Sequence, residues 1–177
     1  MNVIESRIQG AKLLSPRVFE DERGFFLETF QKKNYQEFLE TDLDFLQDNQ
    51  SRSYKGVLRG LHFQISRPQG KLVRVVRGKV FDVAVDIRPD SPTFGVWDGF
   101  YLGEEDKAQF WLPPGLAHGF VVLSEYADFE YKCTDYYDPA SEGCLLWNDP
   151  EINIDWPVDS PVLSAKDSLG KRFKELF

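Results

Sequence analysis

The feature that most constrains the fold of this chain is a long series of short β-type segments separated by turns. The series continues from about residue 47 to residue 156, and Gly, Pro, Asn and Asp occupy the breaks. In the segment VFDVAVDI, apolar residues alternate with Asp82 and Asp86, a period that predicts a strand with one buried face. Many short strands at close spacing predict an all-β jelly roll or related barrel.

Strands and helices can be placed along the chain from the same patterns. Further strands are predicted near 57–64, 71–76, 94–102, 109–112, 118–124, 128–137 and 143–147. The step Arg77-Gly78-Lys79 predicts a hairpin between the KLVRVV and VFDVAVDI segments. Apolar residues have helical spacing only in 31–40 and 168–176, which predicts a few short peripheral helices. Because the composition does not change along the chain, we expect a single domain over 1–177.

The charge balance bears on the possible partners. The 29 acidic residues outnumber the 21 basic ones, and a net charge of -8 repels phosphate backbones and anionic membranes. We therefore expect neither nucleic acid nor a membrane as a partner. No apolar run approaches the ~20 residues of a membrane-spanning helix, and no signal-peptide core is present, so we expect a cytoplasmic protein. Cys133 and Cys144 are expected to be reduced thiols.

Histidine is scarce, since only His62 and His118 occur. The PxGxxH pattern that ends at His118 is typical of cupin-type barrels, many of which bind a metal. Such a site usually needs two or three histidines and a carboxylate, but His62 is followed by Phe and Gln where a second histidine would be expected. We therefore expect no bound metal.

The segment GVLRGLHFQ places a cation and an imidazole close together on one strand. Strict alternation would put Arg59 and His62 on opposite faces of the sheet. If both serve one site, the strand must contain a bulge or a twist near Gly60.

Longer motifs extend through nearly the whole chain, in the order DERGFFLETF (21–30), QDNQSRSYKGVLRGLHFQ (47–64), QGKLVRVVRGKVFDVAVDIR (69–88), SPTFG (91–95), PPGLAHGFVVLSEYADFEYKCTDYY (113–137) and LSAKD (163–167). Together they resemble the dTDP-4-dehydrorhamnose 3,5-epimerase family. The resemblance implies a cupin-type jelly-roll subunit that forms a homodimer and uses neither metal nor nicotinamide. The implied substrate is dTDP-4-dehydro-6-deoxy-D-glucose, a dTDP-linked 4-keto-6-deoxy sugar, and the product is dTDP-4-dehydro-L-rhamnose.

The resemblance also implies a role for each matching residue. It implies His62 as the proton-abstracting base, Asp167 as its carboxylate partner and Tyr131 as the proton donor. Arg59 and Lys71 would lie beside the carbonyl oxygen of the sugar. The positions implied to hold the nucleotide and diphosphate or to frame the pocket, some from the neighbouring subunit, are Arg23, Glu28, Gln47, Asp48, Asn49, His118, Glu142 and Lys166.

These residue types suit proton transfer at carbons 3 and 5, whose hydrogens are acidified by a ketone at carbon 4. A neutral imidazole, with a reference pKa of about 6.5, can accept a proton near neutral pH. Arg59 and Lys71 can stabilise the enolate oxygen. Tyr131 is two residues from both Phe129 and Cys133, so the three side chains should lie on the same face of the strand. We therefore expect the phenol of Tyr131 to point inward.

Three alternatives remain open from the sequence. The chain could invert only carbon 3 or only carbon 5 of a related 4-keto sugar nucleotide. It could be a non-catalytic sugar-binding jelly roll, in which the same aromatic and charged residues merely bind. A metal-dependent cupin oxygenase is disfavoured by the histidine count.

Overall fold

The computed structural model describes residues 1–177 and consists mainly of β-strands. The strands are β1 (Asn2–Glu5), β2 (Lys12–Ser15), β3 (Val18–Asp21), β4 (Gly24–Leu27), β5 (Gln47–Tyr54), β6 (Leu58–Gln64), β7 (Lys71–Arg77), β8 (Lys79–Asp86), β9 (Trp97–Gly103), β10 (Gln109–Leu112), β11 (Leu116–Val122), β12 (Tyr126–Cys133) and β13 (Glu142–Cys144). The helices are α1 (Lys32–Leu39), α2 (Ala165–Ser168) and α3 (Phe173–Leu176). None of these helices has the length and apolarity to cross a membrane.

Two antiparallel sheets face each other across a hydrophobic core. The six-stranded sheet has the order β1-β2-β10-β7-β12-β5, and the five-stranded sheet has the order β13-β6-β11-β8-β9. Both sheets contribute to the core between them, for example with Val73 and Phe110 from the first and Val80 and Phe120 from the second. The predicted all-β class is confirmed. Strands β3 and β4 form a separate two-stranded arm.

Strand β8 differs from its prediction because both of its faces are buried. It lies between β11 and β9. Its apolar face, which includes Phe81 and Val83, packs against the C-terminal part of the chain, including Phe173. Asp82 and Asp86 share the other face and are fully buried. The predicted alternation of side chains along β8 is therefore confirmed, but the polar face of the strand points into the barrel and not into solvent.

The predicted hairpin between β7 and β8 is wrong. Strand β7 pairs with β10 and β12 in the six-stranded sheet, whereas β8 pairs with β11 and β9 in the five-stranded sheet. Gly78 lies at the corner where the chain passes between them, with φ +82. A Cβ at Gly78 would lie 2.1 Å from the carbonyl oxygen of Tyr126, so the corner requires glycine. The tight turn was predicted correctly, but it connects two sheets.

The helix predictions have mixed outcomes. Helix α1 is confirmed, and the Gln31 side chain caps its first turn by accepting a hydrogen bond from the Asn34 N–H at 2.7 Å. The single helix predicted over 168–176 is wrong, because the chain forms the short helices α2 and α3 instead. Between them, Lys171 makes a parallel β-bridge with Leu145, which fixes this stretch against the barrel.

Candidate active site

A cavity of about 310 Å³ opens between the two sheets. Residues of β5, β7 and β12 form one wall, and residues of β6 and β13 form the other. The lining residues are Gln47, Asn49, His62, Phe63, Gln64, Gln69, Lys71, Tyr131, Tyr137 and Glu142. Several of the residues proposed for proton transfer therefore border one concave space.

A bulge in β6 places the side chains of Arg59 and His62 on the same face of the sheet. His62 pairs with His118 of β11, and Arg59 pairs with Phe120, so two residues of β6 oppose a single residue of β11. The bulge includes Gly60, which has φ +129, a conformation that residues with a Cβ rarely adopt. The predicted irregularity near Gly60 is confirmed.

His62 is held by a carboxylate from the far end of the sequence. Its Nε2 lies 2.5 Å from Oδ1 of Asp167, whose own side chain is buried. The Ser164 hydroxyl accepts a hydrogen bond from the Asp167 backbone N–H at 3.1 Å and so fixes the first turn of α2. Since Asp167 engages Nε2, the Nδ1 atom of the neutral imidazole is left to accept a proton.

The protonation state of His62 is set by two opposing effects. Burial lowers its pKa, and the hydrogen bond and negative charge of Asp167 oppose this change only in part. The net pKa lies below the usual value, so the imidazole is neutral at neutral pH. A neutral imidazole is the form that a general base requires.

The opposite wall presents a phenol and an ammonium group. Tyr131 points inward from β12, as predicted, and burial raises the pKa of its hydroxyl. The hydroxyl therefore remains protonated and can donate. Lys71 lies on the adjacent strand β7, and burial lowers its pKa although Asp82 and Glu142 contribute negative charge. The cavity thus combines a base on one sheet with an acid and a cation on the other.

Glu142 organises one side of the cavity. Its carboxylate accepts a hydrogen bond from the Tyr137 hydroxyl at 2.8 Å and forms an ion pair of 2.5 Å with Lys166. Burial alone would raise the pKa of Glu142, but these two contacts outweigh it and leave the pKa lowered. The Tyr137 backbone N–H donates to Gln47 at 2.9 Å, which connects Glu142 to the β5 wall.

His118 lies behind the cavity and does not line it. It is buried, and its Nε2 lies 2.9 Å from Oδ2 and 3.1 Å from Oδ1 of Asp82. Burial raises the pKa of Asp82, while the charge and hydrogen bond of His118 and the more distant charge of Lys71 act in the opposite direction. His118 and Asp82 therefore form a buried pair behind the cavity.

Besides His118 and the buried Asp167, five of the predicted site residues do not line this cavity with their side chains, namely Arg23, Glu28, Asp48, Arg59 and Lys166. Arg23 and Glu28 are exposed, and Arg23 is paired with Asp21 on the β3–β4 arm. Asp48 faces the other side of the six-stranded sheet, where it forms an ion pair with Lys132 beside a separate cavity of about 420 Å³.

Arg59 is exposed, and its Nε donates to the Ser53 hydroxyl at 2.8 Å. Its positive charge still acts to lower the pKa of Tyr131, which places Arg59 within electrostatic range of the cavity.

The structure adds residues that the sequence reasoning did not single out. Gln69 and Tyr137 line the cavity. In the sequence, only their position within the longer family motifs could have indicated this. Asp82 belongs to the polar face of an alternating strand, and the alternation alone does not indicate that this face is buried next to the cavity. Cys144 pairs with His62 across β13 and β6, a neighbour that only the sheet register shows.

Comparison with known proteins places the chain in a family. A sequence model described as dTDP-4-dehydrorhamnose 3,5-epimerase matches residues 5–175. The chain belongs to this family. A curated dTDP-4-dehydrorhamnose 3,5-epimerase from Pseudomonas aeruginosa is 57% identical over 164 residues, which are 92% of this chain and 91% of the relative.

Solved structures agree with this placement. A Legionella pneumophila dTDP-6-deoxy-D-glucose-3,5-epimerase, in complex with dTDP-4-keto-L-rhamnose, has a TM-score of 0.95 and 55% identity, over 98% of this chain and 93% of that chain. A 3′-monoepimerase from Streptomyces bikiniensis, in complex with dTDP-quinovose, has a TM-score of 0.89 and 34% identity, over 95% of this chain and 86% of that chain. The predicted family, the cupin-type jelly-roll fold and the enzyme class, a sugar-nucleotide epimerase, are confirmed.

Proposed function

We propose that the chain inverts carbons 3 and 5 of dTDP-4-dehydro-6-deoxy-D-glucose to give dTDP-4-dehydro-L-rhamnose. The observation that carries the proposal is the His62–Asp167 pair facing Tyr131 and Lys71 across one cavity. Base, acid and cation are the three groups that proton transfer next to a ketone requires. The Legionella pneumophila relative, whose complex contains dTDP-4-keto-L-rhamnose, supports the choice of sugar.

The first step is deprotonation next to the ketone. Nδ1 of His62 takes the proton from carbon 5 or carbon 3, and the electron pair of the broken C–H bond moves onto the carbonyl oxygen. The ammonium of Lys71, with the charge of Arg59, stabilises the enolate oxygen. Removing one such preorganised donor costs about 10²–10³-fold in turnover in other enzymes. Asp167 stabilises the imidazolium that forms.

The second step returns a proton from the opposite face. Tyr131 stands across the cavity from His62, on the other sheet. Its protonated phenol donates to the carbanionic carbon, the carbonyl re-forms and the configuration is inverted. The proton left on His62 and the proton missing from Tyr131 are then exchanged with solvent, which resets both groups for the second carbon.

We also propose how the remaining predicted residues hold the nucleotide. The amides of Gln47 and Asn49 face the cavity and can pair with a pyrimidine edge. Arg23 and Lys166 suit a diphosphate, and Glu142 positions Lys166. The others proposed to frame or support the pocket are Glu28, Asp48 and His118.

The proposed active unit is a cytoplasmic homodimer formed by the one domain 1–177. Arg23 and Glu28 lie on or next to the β3–β4 arm, away from the cavity of their own subunit, so the arm must reach the cavity of a second copy if these residues bind substrate. Cys133 and Cys144 are free thiols, as in proteins of reducing compartments.

Hydrogen exchange tests the proposed function. The protein is incubated with the 4-keto-6-deoxyglucose nucleotide in heavy water, and loss of the hydrogens at carbons 3 and 5 is followed by NMR. We expect exchange at both carbons. Exchange at one carbon would instead support a single-carbon epimerase, the alternative favoured by the similarity to the Streptomyces bikiniensis 3′-monoepimerase. No exchange at all would support a sugar-binding protein.

A further inference from the structure

A thiol lies beside the catalytic pair. Cys144 of β13 pairs directly with His62 of β6, and directly paired residues point to the same face of a sheet. A ring nitrogen of His62, Sγ of Cys144 and a carboxylate oxygen of Asp167 all lie within 4.8 Å of one another. The proposed reaction uses His62 and Asp167 but gives Cys144 no task.

We propose that His62, Cys144 and Asp167 form an inhibitory binding site for a thiophilic divalent cation, of which Zn²⁺ is the representative. Imidazole, thiolate and carboxylate are the three protein ligand types that Zn²⁺ prefers. The ion would be a regulator or poison of the enzyme and not its cofactor, since it occupies the groups that the reaction needs free.

The three side chains can reach one ion if they rotate from their present positions. Metal–ligand bonds of about 2.0–2.3 Å place tetrahedral donor atoms roughly 3.3–3.8 Å apart. To bind an ion, His62 and Asp167, which are 2.5 Å apart, must therefore separate by about 1 Å, and any pair near the 4.8 Å limit must come closer by a similar amount, both through side-chain rotations. Asp167 is buried, while His62 lines the cavity, which gives an ion from solvent a path to the site.

Metal binding would remove the base by changing the imidazole tautomer. In the metal-free pair, Nε2 carries the hydrogen that faces Asp167, and Nδ1 keeps its lone pair. When Nε2 coordinates the ion, the imidazole hydrogen moves through solvent to Nδ1, which can then no longer accept a proton from the sugar. This consequence rests on the proposed role of His62, whereas binding of the ion does not.

Binding also requires the thiol to lose its proton. Burial raises the pKa of Cys144 to about 11, so the free protein holds a thiol at neutral pH. The ion displaces this proton into solvent and binds the thiolate, and one proton is released for each ion bound. No electron transfer or further reactant is involved.

Direct binding of Zn²⁺ and Co²⁺ to the purified protein tests the site without reference to activity. Co²⁺ reports sulfur coordination through thiolate-to-metal charge-transfer absorption, and calorimetry gives the Zn²⁺ affinity. We expect one ion per chain with this absorption, and at least about a tenfold loss of affinity in Cys144→Ser. Cys133→Ser is the matched control, because Cys133 is the other free thiol and is not part of the group. Equal affinity in Cys144→Ser and the unmodified protein would overturn the site.

The activity arm tests inhibition separately. Zn²⁺ should suppress proton exchange in the unmodified protein and in Cys133→Ser, a chelator should restore it, and Cys144→Ser should require at least about tenfold more Zn²⁺. Binding without inhibition would overturn the inhibitory role. If the metal-free protein shows no exchange on the 4-keto sugar nucleotide, the proposed function fails, and the binding arm alone still decides the metal site.

Discussion

At the residue scale, the chemistry depends on the way that burial and a single carboxylate act on His62 in opposite directions. Burial favours the neutral imidazole, which can accept a proton, and Asp167 favours the imidazolium, which forms during the reaction. A buried histidine without Asp167 would be neutral but a weak base. Asp167 alone, with an exposed histidine, would leave much of the base protonated at mildly acidic pH.

This balance predicts the pH dependence of the reaction. Because the net pKa of His62 is lowered, the acid limb of kcat/KM should have its midpoint below about pH 6.5, with activity lost as the pH falls through it. In Asp167→Asn, the group that raises the pKa is gone, so the midpoint should move to still lower pH. We expect turnover to fall about 10²–10⁴-fold because the tautomer is no longer fixed. A pH profile of both proteins measures this, and an unchanged acid limb in Asp167→Asn would contradict the assignment.

Mutations on the two walls of the cavity should affect proton abstraction and inversion differently. His62→Ala should abolish hydrogen exchange at both carbons while nucleotide binding is nearly unchanged, since the nucleotide groups lie elsewhere. Tyr131→Phe removes only the donor hydroxyl, so abstraction by His62 should survive better than inversion. Exchange in heavy water and product formation are compared for each variant. Substantial exchange in His62→Ala, or equal loss of exchange and inversion in Tyr131→Phe, would show that the roles are assigned wrongly.

At the scale of elements, the bulge in β6 allows two side chains of this strand, Arg59 and His62, to face the interior of the barrel together. Without the extra residue, Arg59 and His62 would alternate, and one of them would face the C-terminal layer of the molecule. The bulge depends on glycine for two reasons. Gly60 has φ +129, and a Cβ there would lie 2.6 Å from Cα of Gly119 and 2.7 Å from the carbonyl oxygen of His118.

Gly60→Ala should therefore destabilise the fold more than its backbone conformation alone explains. We expect a loss of about 2–4 kcal/mol in the free energy of unfolding, from backbone strain and from overlap with β11. Gly56→Ala is the matched control, because Gly56 has φ +79 and nothing within 4 Å of its added Cβ. The control should lose only about 1 kcal/mol. Urea denaturation of both variants measures the difference, and equal losses would show that contact with β11 is unimportant.

The elements also show how far the sequence could predict the structure. The apolar strands were found because alternation is a local signal, and β10 was found at its observed bounds. Strands β1 to β4 are not predicted, and β5 lies inside the predicted β series without being assigned as a strand, because it reads QDNQSRSY and gains its strand form from pairing with β12 along its whole length. The contact of His62 with Asp167 spans 105 residues, and no periodicity can predict it. The family resemblance predicted the His62–Asp167 pair, whereas the position of Cys144 beside His62 is seen only in the register of β13 and β6.

At the scale of the whole molecule, the β3–β4 arm is the part that a single chain leaves without a partner. It pairs only with itself and exposes 50% of Phe19, 59% of Phe25 and 71% of Phe26. Large apolar side chains exposed together mark an interaction surface. Since Arg23 lies at the turn of this arm, burial of the arm against a second copy would also deliver a cation to that copy.

Mixed dimers test whether the arm completes the cavity of the partner. Arg23→Ala should raise KM about 10- to 100-fold by removing a charged contact to the diphosphate, and His62→Ala should be inactive. When the two variants are co-expressed, each mixed dimer contains one cavity with an intact His62 and an intact Arg23 from the other subunit. Random pairing in a symmetric dimer then restores roughly one quarter of the wild-type rate at low substrate concentration. Separately purified variants, combined without subunit exchange, are the control. If the co-expressed protein is no more active than this control, Arg23 serves its own subunit or none, and the exchanged arm is excluded.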